Sequence, residues 1–133
     1  MRPNIKYVTL KRVLRHHNNI IEKSGGLAGI KDLGIIESVL EHVKNDVYYP
    51  TFEDKLTHLV FSFIKNHAFN DGNKRTSIAV GTLFLLLNDF SDDFIDVFTV
   101  ILEEIVVAVA QNAIDKDGLK RIVSAILKIE LLP

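Results

Sequence analysis

The feature that most constrains the fold is the spacing of the apolar residues, which recur every three or four positions along nearly all of the 133 residues. That spacing lines one face of an α-helix, whereas a half-buried strand alternates with a period of two. Even the segment 94–110, which is rich in β-branched residues, keeps the helical period over a length too great for a typical strand. We therefore predict an all-α fold, a single compact bundle of about six helices.

Capping residues and breaks in the pattern locate these helices. Thr9 and Thr51 are suited to cap helix N-termini, and Gly25 with Gly26 suits a helix C-terminus. The helices are predicted from Thr9 to Gly25, over 35–43, from Thr51 to a break at 67–72, and over 73–87, 94–110 and 118–131. The helix over 73–87 is apolar on most sides, which indicates a central, buried position. The segment 25–34 is predicted to be a structured loop or a small β-hairpin.

Length and composition exclude several classes of protein. The chain is the size of one domain, predicted over residues 1–133, and its lack of cysteine excludes disulfides, thiol nucleophiles and Cys-ligated metals. Lys and Arg number 16 against 17 acidic residues, so no basic field favours nucleic acid or an anionic membrane. The longest apolar run, 78–87, has about half the roughly 20 residues of a membrane span. Because the N-terminus also lacks an apolar signal region, we expect a soluble, cytoplasmic protein.

The segment most informative about function joins two predicted helices and reads HAFNDGNKRTS over 67–77. A helix N-terminus offers unpaired N–H groups and the positive end of the helix dipole to an anion. Gly72 permits the left-handed backbone that gathers successive N–H groups, and Asn73 is predicted to cap the helix. Lys74 and Arg75 place cations where a first helical turn ordinarily prefers acids. This pattern predicts a phosphate-binding site.

Three further side chains in this segment suggest a chemistry. Asp71 lies beside the predicted phosphate site, where a carboxylate is a natural ligand for Mg²⁺. His67 is the side chain whose ordinary pKa suits proton transfer at neutral pH. Phe69 is predicted to insert into the core and hold the loop. Together these residues indicate phosphoryl or nucleotidyl transfer to a hydroxyl group, although their spacing alone also fits an ordinary turn.

Residues 67–75 resemble the signature of the Fic/Doc family, specifically its Doc branch, H-x-F-x-[DN]-[AG]-N-K-R. Residues 25–38 resemble, more loosely, the family's G-G-x-x-G-[VI]-[RK]-D-x-G-[LI]-[LI]-E-S stretch. The resemblance covers nearly the whole chain and weakens after about Asn88. It implies a bundle of helices with a short flap beside the loop that contains the signature.

The resemblance also implies roles for individual residues. It makes His67 the base that deprotonates a target hydroxyl and Asp71 the ligand of Mg²⁺. The residues implied to bind the phosphates of ATP are Gly72, Asn73, Lys74 and Arg75. The flap implied to hold the backbone of the target comprises Gly26, Leu27, Ala28, Gly29, Ile30 and Lys31.

Two positions bear on which group is transferred. Family members that transfer AMP resemble H-P-F-x-[DE]-G-N-G-R-x-x-R, whereas this chain has Lys74 for the second glycine and Ile78 for the final arginine. Resemblance to the family members that have this lysine implies transfer of the γ-phosphate of ATP, to a target such as a threonine of elongation factor Tu, which would block protein synthesis. The alternatives are AMP transfer to a protein hydroxyl and a non-catalytic module that binds an antitoxin.

The resemblance further implies a toxin paired with a cognate antitoxin protein. The balanced charge and the short apolar runs predict no direct contact with nucleic acid or membrane. The nearest match to the family's inhibitory motif [ST]-x-x-x-E-[GN] is 99–103, but Glu104 follows where Gly or Asn is required. We therefore expect inhibition in trans by the antitoxin. The pair His16 and His17 is predicted to be solvated or half-buried rather than a metal site, because adjacent helical residues point apart.

Overall fold

The computed structural model describes residues 4–130 and confirms the all-α prediction. The helices are α1 (Leu10–Ser24), α2 (Leu33–His42), α3 (Phe52–Lys65), α4 (Asn73–Leu87), α5 (Asp92–Ala110) and α6 (Lys116–Ile129). Within residues 4–130 no strand forms, and the β-type pairing there is one isolated antiparallel bridge between Ile30 and Phe69. None of the described helices is long and apolar enough to cross a membrane.

Side-chain caps explain where most helices begin. Thr9 accepts a hydrogen bond from the third residue of α1, and Thr51 forms a reciprocal capping box with Asp54 at α3, as the sequence predicts for these two helices. α2, α5 and α6 each begin two residues earlier than predicted, capped by Asp32, Ser91 and Asp115. The first two residues of α5 and of α6 are polar, so the apolar period that located these two helices starts late. The predicted end of the last helix at residue 131 lies outside the described residues.

The core is built around α3 and α4, which pack against each other at the centre of the bundle. α3 also contacts α2, α5 and α6, whereas α4 also contacts α1 and α5. The side chains of Leu59 and Phe63 on α3 and of Phe84 and Leu85 on α4 are almost completely buried. The prediction of a central, buried helix over 73–87 is therefore confirmed, except that Leu86 is 53% exposed.

This arrangement places the informative loop between fixed supports. The loop 66–72 runs directly from the C-terminus of α3 to the N-terminus of α4. α1 packs against α4 on one side of it, and the segment 25–32, which leads from α1 to α2, lies against it. The loop is therefore held by both central helices and by two elements that precede them in the chain.

Candidate functional site

The N-terminus of α4 differs from the other described helix starts in having no side-chain cap. Its N-cap is Gly72, in the left-handed conformation with φ 77° and ψ 18°. The first backbone bond of the helix runs from the Thr76 N–H to the Gly72 carbonyl over 2.9 Å, so the N–H groups of the three preceding residues lack intrahelical acceptors. The other five helices are capped by the side chains of Thr9, Asp32, Thr51, Ser91 and Asp115.

The charges at this helix start are cationic. The first turn of α4 contains no acidic residue, and the side chains of Lys74 and Arg75 are exposed there. The Arg75 guanidinium lies 3.5 Å from the Gly25 carbonyl, which brings it over the beginning of the segment 25–32. Two cations beside unpaired N–H groups and the positive end of a helix dipole form a site suited to phosphate.

Asp71 lies immediately before this helix start and is half-buried. Its Oδ1 accepts a hydrogen bond of 2.8 Å from the Gly72 N–H, and its Oδ2 accepts one of 3.2 Å from the Leu27 N–H. These two bonds, the Gly72 bond foremost, together with the charges of Arg75 and Lys74, lower the pKa of the Asp71 carboxyl. The group is therefore ionised at neutral pH.

The donor set fits a magnesium ion bound together with a nucleotide. Each oxygen of Asp71 accepts one N–H and keeps a further lone pair for a cation. No group of three His, Cys, Asp or Glu residues in the described chain could hold a metal by itself. One carboxylate with the oxygens of bound phosphates is a common way for proteins to bind Mg²⁺, so Asp71 fits that role.

His67 opens the loop in an unusual backbone conformation. Its φ is 48°, in the left-handed region that residues with a β-carbon seldom occupy, and its side chain is exposed. Such strained positions persist only where the surrounding structure holds them in place, and they concentrate at functional sites. The exposed imidazole is open to a hydroxyl group of a second molecule.

Phe69 and Asn73 fix the shape of the loop. Phe69 is 1% exposed and inserts into the core, as the sequence predicts. The Asn73 side chain accepts a bond of 3.1 Å from the Phe69 N–H and donates one of 3.0 Å to the Phe69 carbonyl. The prediction that Asn73 caps α4 is wrong, because its side chain is used to bridge back across the loop while Gly72 occupies the N-cap position.

The predicted flap, residues 26–31, is a loop and not a hairpin folded on itself. Its backbone pairs with the segment 68–70, centred on the bridge between Ile30 and Phe69. The bonds are Lys31 N–H to Ala68 O at 2.7 Å, Asn70 N–H to Gly29 O at 3.2 Å, and Asn70 Nδ2 to Ala28 O at 3.1 Å. The structure thus brings the flap together with the loop 67–75, and Leu27 on the flap is 70% exposed. The roles of these residues in binding stay predictions.

His17 is a site residue that the sequence analysis missed. It is 2% exposed, its Nε2 lies 2.8 Å from the Asp71 carbonyl oxygen, and its ring stacks on Phe69 with centroids 3.7 Å apart. The prediction of a solvated or half-buried pair is therefore wrong for His17, although His16 is half-buried. The available signal was that His17 falls in the apolar stripe of the first helix, whereas His16 does not.

The sequence of the chain is similar to a known family and to two known proteins. The model of the Fic/DOC family matches residues 7–85, which include α1, the flap, the loop and nearly all of α4. "Protein kinase doc" of Escherichia phage P1 is 33% identical over 88 residues, covering 63% of this chain and 69% of that protein. "Toxin Doc" of Mycolicibacterium smegmatis is 37% identical over 68 residues, covering 48% of this chain and 52% of that protein.

Proposed function

The chain belongs to the Fic/DOC family, and we propose that it is the toxin of a toxin–antitoxin pair that transfers the γ-phosphate of ATP to a protein hydroxyl. The names of the two relatives, a kinase and a toxin, support this proposal. The observation that carries it is the start of α4, where a helix without a side-chain cap presents free N–H groups beside Lys74 and Arg75. That site suits the phosphates of a nucleotide better than it suits any neutral ligand.

The other residues of the loop complete the proposed reaction. The phosphates of ATP bind the N–H groups at the start of α4, with Lys74 and Arg75 as counter-charges. Mg²⁺, held by Asp71 and the phosphates, supplies further neutralisation of their charge when it is bound. The imidazole of His67 takes the proton of the target hydroxyl as its oxygen attacks the γ-phosphorus, and ADP leaves.

Two positions favour γ-phosphate transfer over AMP transfer. Lys74 occupies the place of a glycine that lets inner phosphates approach the backbone in members that transfer AMP, and its exposed side chain fills that space with a charge. Ile78 replaces the arginine that clamps the phosphates in those members, and it packs partly against the core instead. We propose a threonine of elongation factor Tu as the target, and inhibition in trans by an antitoxin protein in the cytoplasm.

Transfer of label from ATP tests the proposed function. The purified protein is incubated with a bacterial extract, or with purified elongation factor Tu, and with ATP labelled at either the α- or the γ-phosphate. We expect label to reach protein only from the γ position, and we expect His67→Ala to abolish the transfer. The matched control is His42→Ala, since His42 is an exposed histidine on α2 outside the loop.

Each alternative gives a different result in this experiment. Label arriving from the α position would establish AMP transfer and reject the kinase proposal. Absence of label from both positions, with the antitoxin still bound tightly, would support a non-catalytic module that binds its partner. Equal loss of transfer in the His67 and His42 variants would remove His67 from its proposed role as the base.

A further inference from the structure

The side chain of His17, on α1, lies against Phe69, Asp71 and Gly72 of the loop. Its Nε2 lies 2.8 Å from the Asp71 carbonyl oxygen, and the flat face of its ring covers Phe69 at an interplanar angle of 9°. It also underlies Gly72, since a β-carbon added there would come within 3.7 Å of the His17 Nε2. A buried histidine thus meets the proposed magnesium ligand Asp71, the buried Phe69 and the N-cap residue Gly72.

The chemistry of this contact fixes the direction of hydrogen bonding. A backbone carbonyl only accepts hydrogen bonds, so the His17 Nε2 carries the proton and donates it to Asp71. In a trans peptide the carbonyl and the following N–H point in opposite directions. Holding the Asp71 carbonyl against His17 therefore turns the Gly72 N–H away from His17, and the Asp71 Oδ1 accepts that N–H at 2.8 Å.

We propose that His17 is a positioning residue that sets the peptide between Asp71 and Gly72, and so orients the phosphate-binding turn. Without this donor, that peptide would be free to rotate, and both the Asp71 carboxylate and the first N–H groups of α4 would lose their fixed orientation. The expected effect of His17 on the binding of ATP rests on the proposed function, whereas its expected effect on the backbone of the turn does not.

A role of His17 in packing alone has to be separated from this proposal. His17→Phe keeps an aromatic ring able to stack on Phe69 and removes the donor, whereas His17→Gln keeps a donor and removes the ring. His16→Phe is the matched control, because it makes the same change at the adjacent, half-buried position. Amide hydrogen exchange of the ligand-free protein and the KM for ATP are measured for all three variants.

The proposal predicts a local effect that follows the donor. In His17→Phe we expect the amide of Gly72 to exchange about five- to tenfold faster, the size expected from loss of one hydrogen bond, while amides in α3 and α5 keep their protection. The KM for ATP should rise by a similar factor with a smaller change in kcat. His17→Gln should restore most of the protection and of the KM, and His16→Phe should change neither.

Other outcomes overturn the proposal. If His17→Phe folds and its Gly72 amide exchanges at the wild-type rate, the proposal is wrong. It is also wrong if exchange becomes faster evenly over all helices, because that result indicates that His17 acts through packing alone. If His17→Phe does not fold, the His17→Gln variant tests the proposal instead. An unprotected Gly72 amide in that variant would show that a hydrogen-bond donor at position 17 is insufficient, and would overturn the proposal. If the wild-type protein transfers no phosphate, the exchange measurements still decide the role of His17, and the proposed function fails separately.

Discussion

At the scale of single residues, the candidate site depends on how closely the flap approaches Asp71. Gly26 has φ 118°, and a β-carbon placed on it would lie 2.7 Å from the Asp71 Oδ2, closer than van der Waals contact allows. The next residue, Leu27, donates its N–H to the same oxygen. A residue without a side chain is therefore required where the flap meets the carboxylate.

Gly26→Ala should disable the site, and Gly25→Ala provides a matched control. Both glycines have positive φ, so either change strains the backbone by about 1–3 kcal/mol. Only the Gly26 variant forces the Asp71 carboxylate to move, because Gly25 has no atom within 4 Å of its added β-carbon. We expect Gly26→Ala to lose at least as much thermal stability as Gly25→Ala, and we expect at least about a tenfold loss of label transfer in Gly26→Ala alone. Equal label transfer by the Gly26→Ala and Gly25→Ala variants would show that the position of the Asp71 carboxylate is unimportant for the reaction.

At the scale of the helix, α4 begins in a way that lowers its own stability. Its first turn has neither a side-chain cap nor an acidic residue, and it holds two cations near the positive end of the dipole. Each of these features disfavours a helix start by a few tenths of a kcal/mol or more. A bound anion reverses the balance, since it accepts hydrogen bonds from the free N–H groups and pairs with Lys74 and Arg75.

Lys74→Glu should therefore separate stability from function. Replacing a cation by an acid in the first turn of α4 should raise the free energy of unfolding by roughly 0.3–1 kcal/mol, while repulsion between carboxylate and phosphate should abolish ATP binding. Lys11→Glu is the control, because Lys11 is exposed in the first turn of α1, which also lacks an acid. That variant should gain similar stability in urea denaturation and keep its activity. Undiminished ATP binding by Lys74→Glu would contradict the assignment of the phosphate site.

The elements show why the sequence predicted some features and missed others. Thr9, Thr51 and Gly25 act on their own helices through neighbouring residues, so their capping roles could be inferred locally. The hydrogen bond of His17 joins residues 54 positions apart, and nothing in the first helix indicates which carbonyl its ring will meet. Asn73 failed as a predicted cap for a different reason: its partner Phe69 is close in sequence, but the shape of the loop decides where the Asn73 side chain bonds. The family signature located the loop, but not the contacts that hold it.

At the scale of the whole molecule, three helices meet around a buried histidine that lies outside the loop 66–72. His58 on α3 is 7% exposed, and its ring stacks on the ring of Tyr49 with the centroids 4.1 Å apart. The His58 Nδ1 lies 3.3 Å from the Nζ of Lys116 on α6. Burial, with smaller contributions from the charge of Lys116 and from His42 of α2, lowers the pKa of His58 to about 4. This junction of α2, α3 and α6 is therefore built around a neutral imidazole.

The stability of the fold should consequently decrease as the pH falls from about 6.5 to about 4. In that range the unfolded chain binds a proton at His58 and the folded chain does not, so protonation favours unfolding. The full contribution of neutral His58 to the free energy of unfolding is therefore present only above the pKa of the unfolded chain. The difference between an ordinary pKa of 6.5 and about 4 corresponds to about 3 kcal/mol.

Urea denaturation at pH 7 and at about pH 4.5 should show most of this loss of stability in the wild type and little of it in His58→Gln. His16→Gln should retain the wild-type dependence, and Lys116→Met should weaken it by removing the neighbouring cation. An unchanged pH dependence in His58→Gln would show that other groups carry the acid sensitivity of the bundle.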